Sequence, residues 1–230
     1  MTPPSPSGKG RDEGHVQSEI LKIYRFLEEG PRPTKIVAIG RNYAEHAKEL
    51  GNEPPSEPIM FLKPPSALLP HEGTIVRPPQ SQRVDYEGEL AIVIGKRARN
   101  VASARWRDFV RGFTCANDVT ARDLQKKDVQ FTRGKGFDTF CPLGPCIETD
   151  LDPADVALVT RVNGEVKQNG RTSMMIFPCA VIVEFVTSVM TLEPGDVILT
   201  GTPSGVGPLQ SGDSVEVEIE GIGVLRNHVA

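Results

Sequence analysis

The sequence predicts a mixed α+β domain that is mainly β. Three observations carry the prediction. Strand-like segments outnumber helical ones and are mostly joined as hairpins, which disfavours a doubly wound parallel sheet. The 22 glycines and 20 prolines make up about 18% of the 230 residues, against about 12% on average. No internal repeat of 20–50 residues is present, so a solenoid or propeller is not expected.

The elements follow in chain order. Residues Met1 to Gly14 are proline, glycine, serine and charge, and cannot bury a core. Val16 to Glu29 fits either a helix, with Ile20, Ile23, Tyr24 and Leu27 on one face, or a strand. Residues 1–33 are read as a tail and short appendage, and 34–230 as the main domain. Lys35 to Ile39 is a short apolar strand. Tyr43 to Leu50 is a short helix with Gly51 as its C′ residue. Met60 to Leu62 is a strand stopped by Pro64-Pro65, and a loop with short extended pieces runs on to Gln80.

Glu87 to Gly95 reads as a strong strand whose LAIVIG run looks central in its sheet. A short helix is expected at Ser103–Val110, a strand at Gly112–Asp118 and a helix at Thr120–Lys127. Leu158 to Gln168 is a hairpin with Asn163-Gly164 at its tip. Pro178 to Leu192 is a helix, with Ile182, Phe185, Val186 and Val189 on one face. Val197–Thr200, Ser214–Glu220 and Gly223–Asn227 are the last strands.

Composition excludes some classes. Hydrophobic residues are 38% of the chain, and glycine brings the apolar share to about 48%, ordinary for a folded globular protein. A largely disordered chain is thereby excluded. No run approaches 18 apolar residues, so no membrane-spanning helix is expected. Lys plus Arg total 26 against 30 Asp plus Glu, a net charge of −4. A nucleic-acid partner is not expected on that balance. Cys115, Cys141, Cys146 and Cys179 lack C-x-x-C spacing, and are read as buried small hydrophobes or free thiols. No secretory leader is recognisable near Met1, so the cytoplasm is the expected location.

Five constellations carry chemistry. Glu87-Gly88-Glu89 in a strand puts two carboxylates on one face. Such like charges repel unless protons or a hard cation such as Mg²⁺ or Mn²⁺ neutralise them. An exposed E-x-E strand would simply be solvated; the apolar run that follows argues against exposure here. Asp118 ends a strand and reads either as a helix N-cap or as a third metal oxygen. Arg122 and Gln125, three apart on the next helix, could face one cavity, with Arg122 suited to a carboxylate. His46 and Glu49 sit at i and i+3, so the Glu can orient the His as a general base; a surface His–Glu pair is the plainer alternative. In Gly134-Lys135-Gly136 the glycines let backbone approach a ligand and leave the ammonium exposed; a flexible solvated loop is an equally good reading. Gly201 to Gly207 matches neither a Walker A loop nor G-x-G-x-x-G, so nucleotide binding is disfavoured; closure around a small carboxylate stays open.

Several ordered motifs together resemble the fumarylacetoacetate hydrolase family over about Lys35 to Asn227. They are IGRNYAEH (39–46), FLKP (61–64), YEGEL (86–90), DVTARD (118–123), GKGFD (134–138), VNGE (162–165) and PGDVILTGTP (194–203). Within that family the chain is similar to the short acylpyruvase, decarboxylase and isomerase members. The resemblance implies a mixed β-roll with short flanking helices, a homodimer and one Mg²⁺ or Mn²⁺ per site. It maps metal ligation onto Glu87, Glu89 and Asp118, and a water-activating dyad onto His46 and Glu49. Lys135 aligns with an active-site lysine, and Arg122, Gln125 and Thr202 with substrate-contacting positions. Asp85 stands where several relatives carry His.

The expected substrate is therefore a small 2-oxo acid. The expected reaction is hydrolytic C–C cleavage of an acylpyruvate, with pyruvate leaving as its enolate. Decarboxylation of oxaloacetate, or isomerisation of 2-hydroxyhepta-2,4-diene-1,7-dioate, would use the same enolate site. A catalytically silent binding protein with this fold is the third reading. The 64–80 loop with His71 is expected, by position only, to close over the site.

Overall fold

The computed structural model describes residues 32–230. The helix-or-strand reading of Val16–Glu29, and nearly all of the predicted tail, lie outside the described residues.

Fifteen strands and four short α-helices make up the described chain. In order they are β1 (Ile36–Gly40), α1 (Ala44–Glu49), β2 (Ile59–Lys63), β3 (Leu68–Pro70), β4 (Thr74–Ile75), β5 (Val84–Tyr86), β6 (Gly88–Ile94), β7 (Val110–Asn117), β8 (Thr120–Ala121), α2 (Arg122–Asp128), α3 (Thr132–Lys135), β9 (Cys141–Glu148), β10 (Ala157–Val162), β11 (Glu165–Arg171), α4 (Cys179–Val189), β12 (Val197–Leu199), β13 (Gly207–Pro208), β14 (Ser214–Ile219) and β15 (Gly223–Val229). The expected mainly-β class holds. The expected helix at Ser103–Val110 is a 3₁₀ helix over Ser103–Phe109, and the one at Thr120 is preceded by strand β8.

A seven-stranded sheet, ordered β2-β1-β12-β6-β7-β9-β3, forms the frame. Its two edges, β2 and β3, are consecutive in sequence and joined only by residues 64–67. Six inter-strand steps would separate the edges of a flat sheet by about 29 Å. Five Cα steps reach at most about 18 Å. The sheet must therefore curl, and the curl brings β2 round to face the far strands. A five-stranded sheet, β11-β10-β14-β15-β4, packs on one face, and a three-stranded one, β13-β5-β8, completes the roll. The predicted hairpin connectivity is only partly right: β1–β12, β3–β9 and β4–β15 are parallel pairs formed at long range.

Strand β6 lies at the centre of the large sheet, and all seven of its residues are buried. Its continuous apolar run follows from that, since both faces are covered. One face packs Leu90, Ile92 and Ile94 with Ile182, Val183 and Val186 of α4 and with Leu158, Val217 and Ile219 of the second sheet. The other packs Ala91 with Ile36, Leu199, Val84 and Phe140. In the five-stranded sheet, β10 and β14 alternate buried and half-buried positions, as strands with one covered face do. In α4 the buried positions are Cys179, Ile182, Val183, Val186 and Thr187, whereas Val189, expected on the buried face, is half-exposed. The hairpin β10–β11 turns on Asn163 and Gly164, with φ of 52° and 80°, the positive pair that a two-residue hairpin turn requires. All four cysteines are buried thiols outside any disulfide, in keeping with the reading from the sequence.

Candidate active site

The pairing of β6 with β7 brings the acids together. Gly88 lies opposite Asn117 and Glu89 opposite Ala116. Asp118, one residue past β7, therefore meets Glu87, one residue before β6. The backbone closes this corner: Asp118 N–H donates to Glu87 O at 2.8 Å, and Glu87 N–H donates to Asn117 Oδ1 at 2.9 Å. Gly88 faces the second sheet so tightly that a Cβ there would sit 2.1 Å from Thr160 Oγ1. Glycine between the two glutamates is thus a packing requirement. Glu87, Glu89 and Asp118 are buried, and one carboxylate oxygen from each lies within 4.8 Å of the other two.

Cations surround this floor unevenly. Lys135 Nζ donates to Glu87 Oε2 at 2.7 Å and Asp118 Oδ2 at 2.5 Å. Lys63 Nζ donates to Asp118 Oδ1 at 2.6 Å and Val119 O at 3.3 Å. Arg122 pairs with Glu87 through Nη2. Glu89 receives only the Gly201 N–H, at 2.6 Å, among the described residues. Burial pushes Glu87 upward, but Lys135, Arg122 and His46 outweigh it and hold its carboxyl well below the ordinary value. Glu89 goes the other way. Burial, Asp118 and Glu87 all push its carboxyl well above the ordinary value. Burial would lower Lys135, but Asp118 and Glu87 hold it above its usual range.

This donor set fits a hard divalent cation. It is all oxygen, and the free lone pairs of three carboxylates converge. One of the three, Glu89, lacks a cationic partner. A bound Mg²⁺ or Mn²⁺ would supply it, held by Glu87, Glu89 and Asp118.

A cavity of about 610 Å³ opens above the floor. His46 of α1 lies in its wall, buried, with Nδ1 3.2 Å from Glu49 Oε2. Glu49 is also held by the Gly205 N–H at 3.1 Å. The glycine-rich 201–207 loop thus does cradle carboxylates, but the protein's own: Glu89 at Gly201 and Glu49 at Gly205. Gly201 has φ of +99° and touches Asn42, so only glycine suits that turn.

The remaining expected residues also line the cavity. Arg122 and Gln125 do share it, yet each guanidinium nitrogen already has a protein partner: Nε on Asp85 Oδ2 at 2.9 Å, Nη1 on Gln125 Oε1 at 2.8 Å, and Nη2 on Glu87. Thr202 Oγ1 donates to Gly88 O and accepts from Gln168 Nε2, each at 2.8 Å. Two expectations need correction. Lys135 is not an exposed ammonium on a flexible loop; it ends helix α3 and is 2% exposed, because two carboxylates draw it in. His71 and the 64–80 loop do not line the cavity. His71 sits on the β3–β4 turn and accepts the Arg226 N–H at 3.0 Å. Leu50, Asn52, Val129 and Phe131 are among the residues that line the cavity.

Sequence reasoning gave Lys63 no role, although its motif was noted. The signal lay in period two: Lys63 shares a strand face with Phe61, a cavity residue whose ring lies 5.1 Å from Lys135 Nζ. Asp85 was noted only as a departure. It is buried and anchors Arg122 and Arg83 together.

The motif set and this geometry meet in one comparison. The fumarylacetoacetate (FAA) hydrolase C-terminal family matches residues 35–230. The chain belongs to the fumarylacetoacetate hydrolase family. Its relatives carry different names. It is 45% identical over 216 residues to the mitochondrial oxaloacetate tautomerase FAHD2A of Homo sapiens, covering 89% of this chain and 69% of that one. The 2-hydroxyhepta-2,4-diene-1,7-dioate isomerase of Mycobacterium marinum is 51% identical, with a TM-score of 0.81 over 86% of this chain and 75% of that one. The fumarylpyruvate hydrolase of Pseudomonas aeruginosa, solved with Mn²⁺ and pyruvate, is 32% identical, with a TM-score of 0.81 over 85% and 89%. Members of this family are enzymes, and the curled, mainly-β roll is their fold.

Proposed function

We propose that the protein is a divalent-cation-dependent enzyme of 2-oxo acids that works by forming and quenching an enolate. Its first reaction, on this reading, is hydrolytic C–C cleavage of acylpyruvate-type substrates. The observation that carries it is His46, buried in the cavity wall and oriented by Glu49 at 3.2 Å. A surface pair would have no cavity to serve.

His46 takes a proton from water, and Glu49 stabilises the imidazolium that forms. The hydroxide adds to the distal acyl carbonyl. The C–C bond then breaks, its electron pair passes to pyruvate as the enolate, and His46 returns its proton. Lys135, buried and charged, stabilises the enolate oxygen electrostatically. When bound, a divalent cation supplies Lewis-acid stabilisation to that same developing charge.

A second reading is tautomerisation or isomerisation of an unsaturated or enolic 2-oxo acid, in which His46 moves a proton on the substrate's carbon and no water adds. It is favoured by the names of the tautomerase and isomerase relatives. Purified protein with Mg²⁺ should release pyruvate from acetylpyruvate, and His46→Ala should abolish it. Accelerated enol-to-keto decay of oxaloacetate with no pyruvate release would select the second reading. Neither activity, with or without EDTA, would sink the proposal. A homodimer is inferred from the family, and sedimentation velocity checks it.

A further inference from the structure

We propose that Gln168, on the second sheet, is a positioning residue for the cation site: its side-chain amide holds the peptides between Glu87 and Glu89 and, through Thr202, ties them to the 201–207 loop. This rests on the divalent-cation reading above and deepens it.

Gln168 is a buried polar side chain on a strand whose other side chains are all exposed. It lies in β11, at the edge of the five-stranded sheet, yet is only 1% exposed. The pairing of β10 with β11 slips beside it. Thr160 lies opposite Gln168 and Arg161 opposite Val166, so Lys167 is an extra residue. A bulge of this kind re-aims the neighbouring side chain. Here the glutamine reaches across to β6. Gly88 leaves it room, for a Cβ there would crowd Gln168 Oε1 at 3.2 Å.

Both polar atoms of the amide are engaged. Oε1 accepts the Gly88 N–H at 2.9 Å, and Nε2 donates to Pro203 O and to Thr202 Oγ1, each at 2.8 Å. Thr202 Oγ1 donates in turn to Gly88 O at 2.8 Å. Gly88, Gln168 and Thr202 thus form a closed ring, and the ring has a single polarity. A backbone N–H only donates and a backbone carbonyl only accepts. The Gly88 N–H therefore fixes Oε1, Pro203 O fixes Nε2, and Gly88 O fixes the hydroxyl proton of Thr202.

The consequence falls on the two glutamates. Gly88 gives its N–H to the peptide on the Glu87 side and its carbonyl to the peptide on the Glu89 side. The ring holds both. Neither peptide can rotate without breaking a buried hydrogen bond, so the directions in which the two carboxylates leave the backbone are set together. Partners behind metal ligands act in this way, by fixing ligand orientation. The ring also anchors the loop. Gly205 packs against β11, where a Cβ would lie 2.2 Å from Lys167 O, and its N–H holds Glu49. One glutamine thus joins the acidic floor to the loop that steadies the partner of His46.

Mn²⁺ affinity, read by calorimetry, and Mn²⁺ geometry, read by electron paramagnetic resonance, test this on the full chain at a temperature where each variant is folded. Gln168→Met keeps the length and removes both ends of the amide. It should bind Mn²⁺ about ten- to a hundred-fold more weakly, with an altered resonance spectrum. Thr202→Val keeps the shape and removes the other side of the ring. It should also weaken binding, and the double variant should lose less than the product of the two single losses. Val186→Ala, a core substitution in α4 outside the ring, is the destabilised control. It should melt earlier and bind Mn²⁺ as wild type does. Binding within about two-fold of wild type in both Gln168→Met and Thr202→Val overturns the inference. If Gln168→Met does not fold, Thr202→Val decides on the same criterion. An equal loss in Val186→Ala and Gln168→Met also overturns it, because affinity would then follow stability alone. A wild type that binds no Mn²⁺ would sink the cation reading itself.

Discussion

Lys63→Met would remove the cation that sequence reasoning overlooked while keeping an apolar stem of similar length. Lys63 is 1% exposed, so its ammonium has no water to fall back on. Its loss leaves Asp118 with one cation, Lys135, and leaves Val119 O without its donor. Removing one partner of a buried ion pair costs about 3–5 kcal/mol. The surviving Lys135 contact puts this case at the low end, about 3 kcal/mol. For a chain of this size that corresponds to a melting temperature lower by about 6–12 °C. The sign of the cation effect is also fixed. Lys63 repels any cation bound at Asp118, so the variant should bind Mn²⁺ more tightly and be stabilised more by it. Urea unfolding in EDTA and in saturating Mn²⁺ measures both quantities. A variant within about 0.5 kcal/mol of wild type in EDTA would refute the reasoning. So would a stability gap that widens when Mn²⁺ is added.

Gly88→Ala should destabilise the fold by about 1–3 kcal/mol, since its Cβ would meet Thr160 Oγ1 at 2.1 Å, and should weaken Mn²⁺ binding by displacing both glutamates. Denaturant unfolding and a Mn²⁺ titration check the two effects. Asp196 accepts donors from Thr34, Lys35 and Glu193 and ties the start of β1 to β12; burial would raise its carboxyl, but the Glu193 N–H and the Lys35 and Thr34 donors outweigh burial and hold it below the ordinary value. Asp196→Ala should therefore cost about 2–4 kcal/mol at neutral pH, and the gap to wild type should shrink as pH falls below the ordinary carboxylate value of about 3.9; a gap constant from pH 7 down to pH 3 would contradict this. Glu89→Gln should leave stability in EDTA unchanged or improved, because it removes a like charge with no cationic partner, yet lower Mn²⁺ affinity. A clear loss of stability in EDTA would oppose it.

The local elements were legible because their signals are local. Asn163-Gly164 needs only its own dihedral angles, and the LAIVIG run of β6 reports that both its faces are covered. The period of two put Glu87 and Glu89 together, and antiparallel pairing brought Asp118 to them. What could not be read was closure. Nothing in FLKP states that β2 curls round to face β7, so Lys63 looked like a strand end and not a partner of Asp118. Lys135 failed for the same reason: glycines around a lysine read as an exposed loop until the acids that bury it are in place. Arg122 was read by chemical type as a free fork for substrate, and the fold spends that fork on Asp85, Gln125 and Glu87.

That last point explains how recognition and chemistry can be separated in this cavity. Arg122, Lys63 and Lys135 are committed to the acidic floor, so they set its charge and hold its geometry. They are poorly placed to distinguish one substrate tail from another. Discrimination must come from groups with unused bonding capacity, and among the cavity's described cations those include Arg41, Lys126 and the outer edge of Arg83. A floor balanced internally, with selectivity held at strand ends and loop positions, lets one enolate-stabilising site serve different tails. Changes at the mouth can then alter substrate choice without disturbing the carboxylates below, which is consistent with similarly folded relatives bearing hydrolase, isomerase and tautomerase names.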